Sequence, residues 1–223
     1  MSSTLDLSPD ELLTTTRAVR RRLDFERPVP RALVEECVQT ALQAPSGSNA
    51  RGWHFMVVGD EGKRKQIADL YRRAFEGYRA MPFSAHALAN EAKGDDVATM
   101  NAVVGSAEAL AKNLHRAPYL VIPCLAGRMP VLEGPMGQLA AASQFGSILP
   151  AFWSFMLAAR ARGLGTSWTT LHLLHEEEIA GILGIPFAEV MQTALSPLAY
   201  TIGTDFKPAK NRDLESALHI DAW

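Results

Sequence analysis

Two cysteines in a chain of 223 residues cannot form a disulfide framework. Cys37 and Cys124 lie far apart, in segments that both read as buried, which suits reduced core thiols. Charge of one sign is also scarce. The 22 Lys and Arg against 24 Asp and Glu leave a net charge of -2, without the broad positive field that displaces counterions from nucleic acid. No apolar run approaches the ~18 residues that argue for a membrane span. Residues 1–10 lack the basic segment and apolar stretch of a secretory signal, so the expected compartment is the cytoplasm. Nucleic acid and membrane are not expected partners. Familiar chemical signatures are absent too: no Walker A loop, no Gly-x-Gly-x-x-Gly after a strand, no Gly-x-Ser-x-Gly elbow and no Cys-x-x-Cys pair. His172 and His175 are suitably spaced to share a metal but have no obvious third ligand in a Leu-rich setting, so no metal is expected. His54, His86, His115 and His219 are scattered and read as structural or surface residues.

What is present is a chain long enough for one substantial core, with strands and helices alternating and no internal repeat. Leu33, Val34, Cys37, Val38, Ala41 and Leu42 have helical spacing and end at a polar loop, Ala44-Pro45-Ser46-Gly47-Ser48-Asn49. The run Trp53-His54-Phe55-Met56-Val57-Val58 reads as a strand. Asp60 then caps a helix that buries Ile67, Leu70, Tyr71, Ala74, Phe75 and Tyr78. Periodicity is lost over 80–96, a candidate lid or connection, before another helical pattern from Val97 to Leu114. Residues 118–125 are nearly all apolar, as expected of an interior strand. Residues 138–162 read as a long buried helix, kinked or restarted at Pro150 and stopped by Gly163-Leu164-Gly165. A short strand over 166–169 and a short helix over 175–183 follow. The last strand lies within 190–202, where Pro197 argues for a bend or an edge. The tail, 204–223, carries Leu214, Leu218, Ile220 and Trp223, which need a surface to bury against, and a second copy of the chain is the expected one.

The chemistry on offer suits an anion. Arg17 and Arg21 follow a polar Thr run and fall on one side of either a helix or an extended segment, where two guanidinium groups can grip a phosphate. Lys210 and Arg212 form a second basic pair near the other end. The alternative reading of Arg20, Arg21 and Arg22 is a solvated run close to a terminus. The loop at 46–49 adds hydroxyls, an amide and backbone donors. Together these are the group types that an anionic, polyhydroxylated, planar cofactor requires.

Four stretches, in order, resemble the nitroreductase family of flavin enzymes. They are Arg17-Ala18-Val19-Arg20-Arg21-Arg22-Leu23 with Pro28-Val29-Pro30, the stretch from Ala44 through Arg51-Gly52-Trp53, Ala158-Ala159-Arg160-Ala161-Arg162-Gly163-Leu164-Gly165-Thr166, and Lys210-x-Arg212. The resemblance covers nearly the whole chain. It implies an α+β, three-layer α/β/α sandwich with a mixed, mostly antiparallel sheet. It also implies one domain over 1–223, an intertwined homodimer with FMN at the interface, and a C-terminal arm packing on the partner. By the same resemblance, Arg17, Lys210 and Arg212 match phosphate-holding positions, and Ala18 and Val19 approach the cofactor through their backbone. Arg21 matches the cation near the pyrimidine edge, where it would stabilise charge on the reduced ring. Pro45, Ser46, Ser48 and Asn49 match the loop supplied across the interface, and Thr169, Thr170 and Leu171 match the strand end beside flavin N5. Lys112 matches poorly.

The sequence departs from the family pattern at Val19, where serine is common, at Arg51-Gly52 in place of Gln-Pro, and at Trp153-Ser154 in place of Gln-Asn. None of these removes a cation. The expected activity is ping-pong transfer of hydride from NADH or NADPH to a nitroaromatic or quinone-like acceptor, with no side chain named as catalytic. Phe83 and Trp168 are candidate stacking surfaces, with core packing as the alternative for either. Two other readings stay open: different flavin chemistry on the same fold, such as dehalogenation, ring dehydrogenation or flavin fragmentation, and a non-catalytic flavin-binding regulatory module.

Overall fold

The computed structural model describes residues 3–94, 96–131, 133–209 and 214–223. Its frame is a six-stranded sheet. The interior strand β3 (Tyr119–Ala126) runs between β2 (Trp53–Val58) on one side and β5 (Val190–Gln192) and β6 (Ser196–Thr201) on the other. Along β6 lie β1 (Leu23–Asp24) and β4 (Leu164–Thr166). All ladders between these strands are antiparallel. Parallel pairing among the described residues is confined to isolated bridges, Ala18 with Thr166 and Gly127 with Val190.

The apolar run in β3 is continuous because both its faces are covered. Successive side chains point to opposite sides of a strand. Leu120, Ile122 and Cys124 therefore pack with α3 (Glu61–Arg79), α5 (Asp96–Asn113) and α7 (Glu176–Leu183). Val121 packs with α2 (Arg31–Ala41) and α6 (Gly134–Ala161). These are the three expected layers. Asp60 caps α3, its carboxylate accepting from the Lys63 N–H at 2.8 Å, and the buried stripe of α3 runs from Ile67 to Phe75 as its spacing predicts.

Four expectations need correction. Within the 80–96 segment stands α4 (Ala85–Glu91), capped by the Ser84 hydroxyl; two turns are too short for a period to emerge. Helix α6 begins earlier than expected and passes through Pro150 as one element, although proline cannot donate to the carbonyl one turn back. Ile148, Ala151 and Phe152, all fully buried, hold it there. The strand expected over 166–169 is β4, displaced toward Gly163, and Thr169 makes only an isolated bridge to Leu195. Pro197 is at neither an edge nor a break: it faces Leu120 within the interior strand β6, and the interruption lies before it, between β5 and β6. No helix among the described residues is long and apolar enough to cross a membrane.

Candidate functional site

The N-terminal arm reaches the sheet just after α1 (Pro9–Thr15). Its Val19 N–H donates to the Thr166 carbonyl at 2.8 Å, and Ala18 forms the parallel bridge to Thr166. Gly165 makes this approach possible, because a Cβ there would lie 3.0 Å from Val19 Cβ and 2.8 Å from Thr201 Cγ2. The arm is thus held against β4, and its arginines diverge from it. Arg17 donates to the Thr14 and Thr16 carbonyls at 2.7 and 2.9 Å and to the Lys207 carbonyl at 3.2 Å. Arg20 donates through Nε to Ser167 Oγ and through Nη1 to Ser106 Oγ, each at 3.1 Å. Arg21 is exposed and lies against Gly105 of α5, where any Cβ would collide with its guanidinium.

The residues after β4 complete this face. Thr169 exchanges backbone hydrogen bonds with Leu195 at 2.9 and 2.8 Å, and its hydroxyl lies 3.0 Å from the Tyr71 hydroxyl. Burial pushes the Tyr71 pKa up, against the opposing pull of the Thr169 hydrogen bond and the Arg20 charge. Thr169, Thr170 and Leu171 line a cavity of about 240 Å³ together with Arg20, Tyr71, Phe75, Tyr78, Ala107, Leu110 and Trp168. Arg20 also borders a neighbouring depression of about 420 Å³ that contains Arg21, Asp24 and Arg116. Arg20, which is not among the expected site residues, thus lines one cavity with Thr169, Thr170 and Leu171, and Arg21, expected at the ring edge, lines the depression beside it. Trp168, a candidate stacking surface, packs edge-on to Phe152 at 4.6 Å and forms a fixed wall of the cavity. Phe83 is exposed and does not line it.

Lys210 and Arg212 lie outside the described residues. The segment leading to them is tied to the arm through Lys207, through Arg22, which pairs with Asp205 at 2.6 Å, and through Arg160. Arg160, on α6 and only 4% exposed, donates to the Thr204 carbonyl at 3.0 Å and to Thr15 Oγ1 at 3.3 Å. Its Nε and Nη1 have no hydrogen-bond partner among the described residues. The Phe206 ring lies 4.9 Å from the Arg160 guanidinium and 4.3 Å from that of Arg22. Burial, then the Arg22 charge, lowers the Arg160 pKa. The sequence shows Arg160 as a basic residue in an apolar helix, inside one of the family-like stretches but with no role assigned, and its burial follows from where the two chain ends meet.

The loop containing Pro45, Ser46, Ser48 and Asn49 stands elsewhere, docked on α6. The Gly47 N–H donates to Ser147 Oγ at 3.0 Å, and the Arg51 N–H to Ser46 Oγ at 3.1 Å. Ser48, Asn49 and Arg51 have φ of 52°, 54° and 49°, a left-handed conformation that costs non-glycine residues energy and clusters at functional sites. None of these loop residues lines the cavities beside Arg20. Within one chain, this loop and the arginine face are separate.

Other groups are accounted for structurally. Burial holds the thiols of Cys37 and Cys124 protonated, their pKa values pushed up to about 11 and about 12. His172 is fully buried with neither ring nitrogen partnered among the described residues, and burial pushes its pKa down to about 3. A groove of about 640 Å³ between α2 and β2 is lined by none of the predicted site residues that are described, and its charged pair, Arg31 and Glu35, is already matched at 2.7 Å.

The model of a family described as the nitroreductase family matches residues 13–203. A curated protein of Methanothermobacter thermautotrophicus, provisionally described as an NADH dehydrogenase/NAD(P)H nitroreductase, is 25% identical over 96% of this chain and 86% of its own length. Among solved structures, a BluB-like flavoprotein from Clostridium difficile 630 superposes with a TM-score of 0.68 at 18% identity, covering 96% of this chain and 99% of that one. An FMN- and NADPH-dependent nitroreductase, NfnB, from sphigopyxis sp. strain HMH gives 0.66 at 17% identity, over 97% and 100%. Iodotyrosine deiodinase bound to FMN and 3-iodo-L-tyrosine gives 0.65 at 22% identity, over 92% and 94%. At these identities the structural likeness speaks for the fold.

Proposed function

The chain belongs to the nitroreductase family, and from that membership we propose that it is an FMN-dependent oxidoreductase that takes electrons from NADH or NADPH and reduces nitroaromatic or quinone-like acceptors. The carrying observation is a pair of cations without a countercharge, of which Arg17 is held in place by backbone carbonyls. Arg17 and Arg21 are in no ion pair among the described residues, whereas the adjacent Arg22 is matched with Asp205. Cations in no ion pair fit a phosphorylated planar cofactor.

Arg17, with Lys210 and Arg212, would hold the phosphate. Ala18 would approach it through the backbone. Val19 contributes shape rather than a donor, since its N–H is already given to Thr166. Arg21, lying over Gly105, would place positive charge at the ring edge, and Thr169, Thr170 and Leu171 would form the wall beside its reactive nitrogen. When bound, FMN supplies two-electron transfer between a nicotinamide and an acceptor that use one open face in turn, which suits a chain without a dinucleotide fingerprint. Ser46, Ser48 and Asn49 would come from a second copy, because their own chain keeps them away from the arginine face.

The first test is colour. The purified protein is expected to be yellow and to bleach anaerobically with NADH or NADPH. A colourless protein that takes up no added FMN overturns the proposal, and a yellow one that neither nucleotide bleaches limits it to flavin binding. Replacing Arg17→Ala together with Arg212→Ala should weaken FMN binding at least tenfold, since each charge-assisted hydrogen bond contributes roughly 1.5 to 3 kcal/mol. Unchanged affinity in a folded double variant would put the phosphate elsewhere.

A further inference from the structure

The cavity beside Thr169 holds one charged side chain among aromatic ones. We propose that it binds single-ring aromatic acceptors bearing an anionic oxygen substituent, a carboxylate above all, and that Arg20 is the residue that selects them. That the ligand is an electron acceptor rests on the flavin reading; its size and charge rest on the cavity.

Size comes first. An apolar cavity of ~150 Å³ admits benzene, and sites for larger ligands start near ~300 Å³. About 240 Å³ leaves room for one ring and a small substituent. The lining decides the rest. Tyr71, Phe75, Tyr78 and Trp168 supply ring faces and edges, and among the described residues Arg20 is the only charged one in the lining, with no carboxylate. Arg20 is not loose: Ser167 and Ser106 each accept one of its N–H groups at 3.1 Å, and Ser106 is itself fixed by donating to the Val103 carbonyl at 2.9 Å. Neutral hydroxyls orient the guanidinium without neutralising it, and Arg20 forms no ion pair among the described residues. Of the other polar groups, Tyr71 is matched with Thr169 at 3.0 Å and the Tyr78 hydroxyl accepts from the Ala85 N–H at 2.8 Å. An oriented cation in an aromatic box favours a planar anion over its neutral isostere.

The test is calorimetric titration of the holoprotein with benzoate and with benzamide, its neutral near-isostere. Benzoate should bind about ten- to a hundredfold more tightly, the range of one charge-assisted hydrogen bond. In Arg20→Met the ratio should fall to near one, and in Arg20→Lys it should be partly kept. The KM ratio of nitrobenzene to 4-nitrobenzoate should shift in parallel. Equal binding of the two probes by the wild-type protein overturns the proposal, as does a preference that survives in Arg20→Met. Benzoate that releases FMN as it binds also overturns it, by showing that the cavity belongs to the cofactor. If Arg20→Met does not fold, the wild-type ratio and Arg20→Lys still decide. A protein that takes up no FMN but prefers benzoate would sink the flavin reading and keep the charge selection. A yellow, bleachable protein without that preference would do the reverse.

Discussion

Arg20, Arg21 and Arg22 are consecutive and meet three different surroundings: serine hydroxyls, the bare backbone of Gly105, and the Asp205 carboxylate. The chain turns over these three residues, with the Leu23 N–H directed at the Arg20 carbonyl at 3.5 Å. The turn sends their side chains to different partners, so the reading of all three as one solvated run fails for Arg20 and Arg22. Histidine shows the same dependence on surroundings. His172 sits in an ordinary Leu-rich stretch, yet burial alone takes its pKa from an ordinary ~6.5 down to about 3. The folded state therefore resists protonation that the unfolded chain accepts. The stability this neutral ring secures is present above pH ~6.5 and is lost as pH falls from there toward 3. Between pH 7 and 5 the loss from this group should be about 2 kcal/mol. Urea unfolding of wild type and His172→Phe at both pH values checks this: the variant should lose that much less stability on acidification, and parallel losses would show that the ring is hydrated or partnered in solution.

Among the elements, β4 and the arm laid along it decide whether the site exists. Gly165 is the point of closest approach, and Gly165→Ala would press a methyl against Thr201, Leu23 and Val19. Overpacking of this kind costs roughly 1 to 3 kcal/mol. It should also loosen the hydrogen bond from Val19 to Thr166, so the variant is expected to melt lower and to bind FMN more weakly. A lower melting temperature with unchanged FMN affinity would show that the arm is positioned by something other than β4. The family-like Gly-Leu-Gly stretch thus works first as packing geometry. Helix α4 and the passage of α6 through Pro150 were illegible for a common reason. Local pattern carries neither a two-turn helix nor the burial of Ile148 and Phe152 that overrides a proline.

For the whole molecule, apolar surface remains uncovered on one chain. Met136, Leu139, Leu149 and Trp153 are exposed along α6, and Leu214, Leu218, Ile220 and Trp223 in the tail. We expect these surfaces to meet in a homodimer that also carries the 46–49 loop to its partner's arginine face. Sedimentation at micromolar concentration should show a dimer, and Trp153→Glu should shift it toward monomer with loss of FMN. A wild-type monomer that retains FMN would refute this assembly. By itself, the sequence determined the layered α+β architecture, the buried stripes of α3 and β3, and the nitroreductase character of the chain, because periodicity and short motifs are local and survive in one dimension. Only the tertiary structure decided that Arg20 faces an aromatic cavity, that Arg160 ties together two ends of the chain, and that Pro197 lies inside the sheet. These depend on which distant segments close around a residue, and charge, burial and pKa are properties of that enclosure.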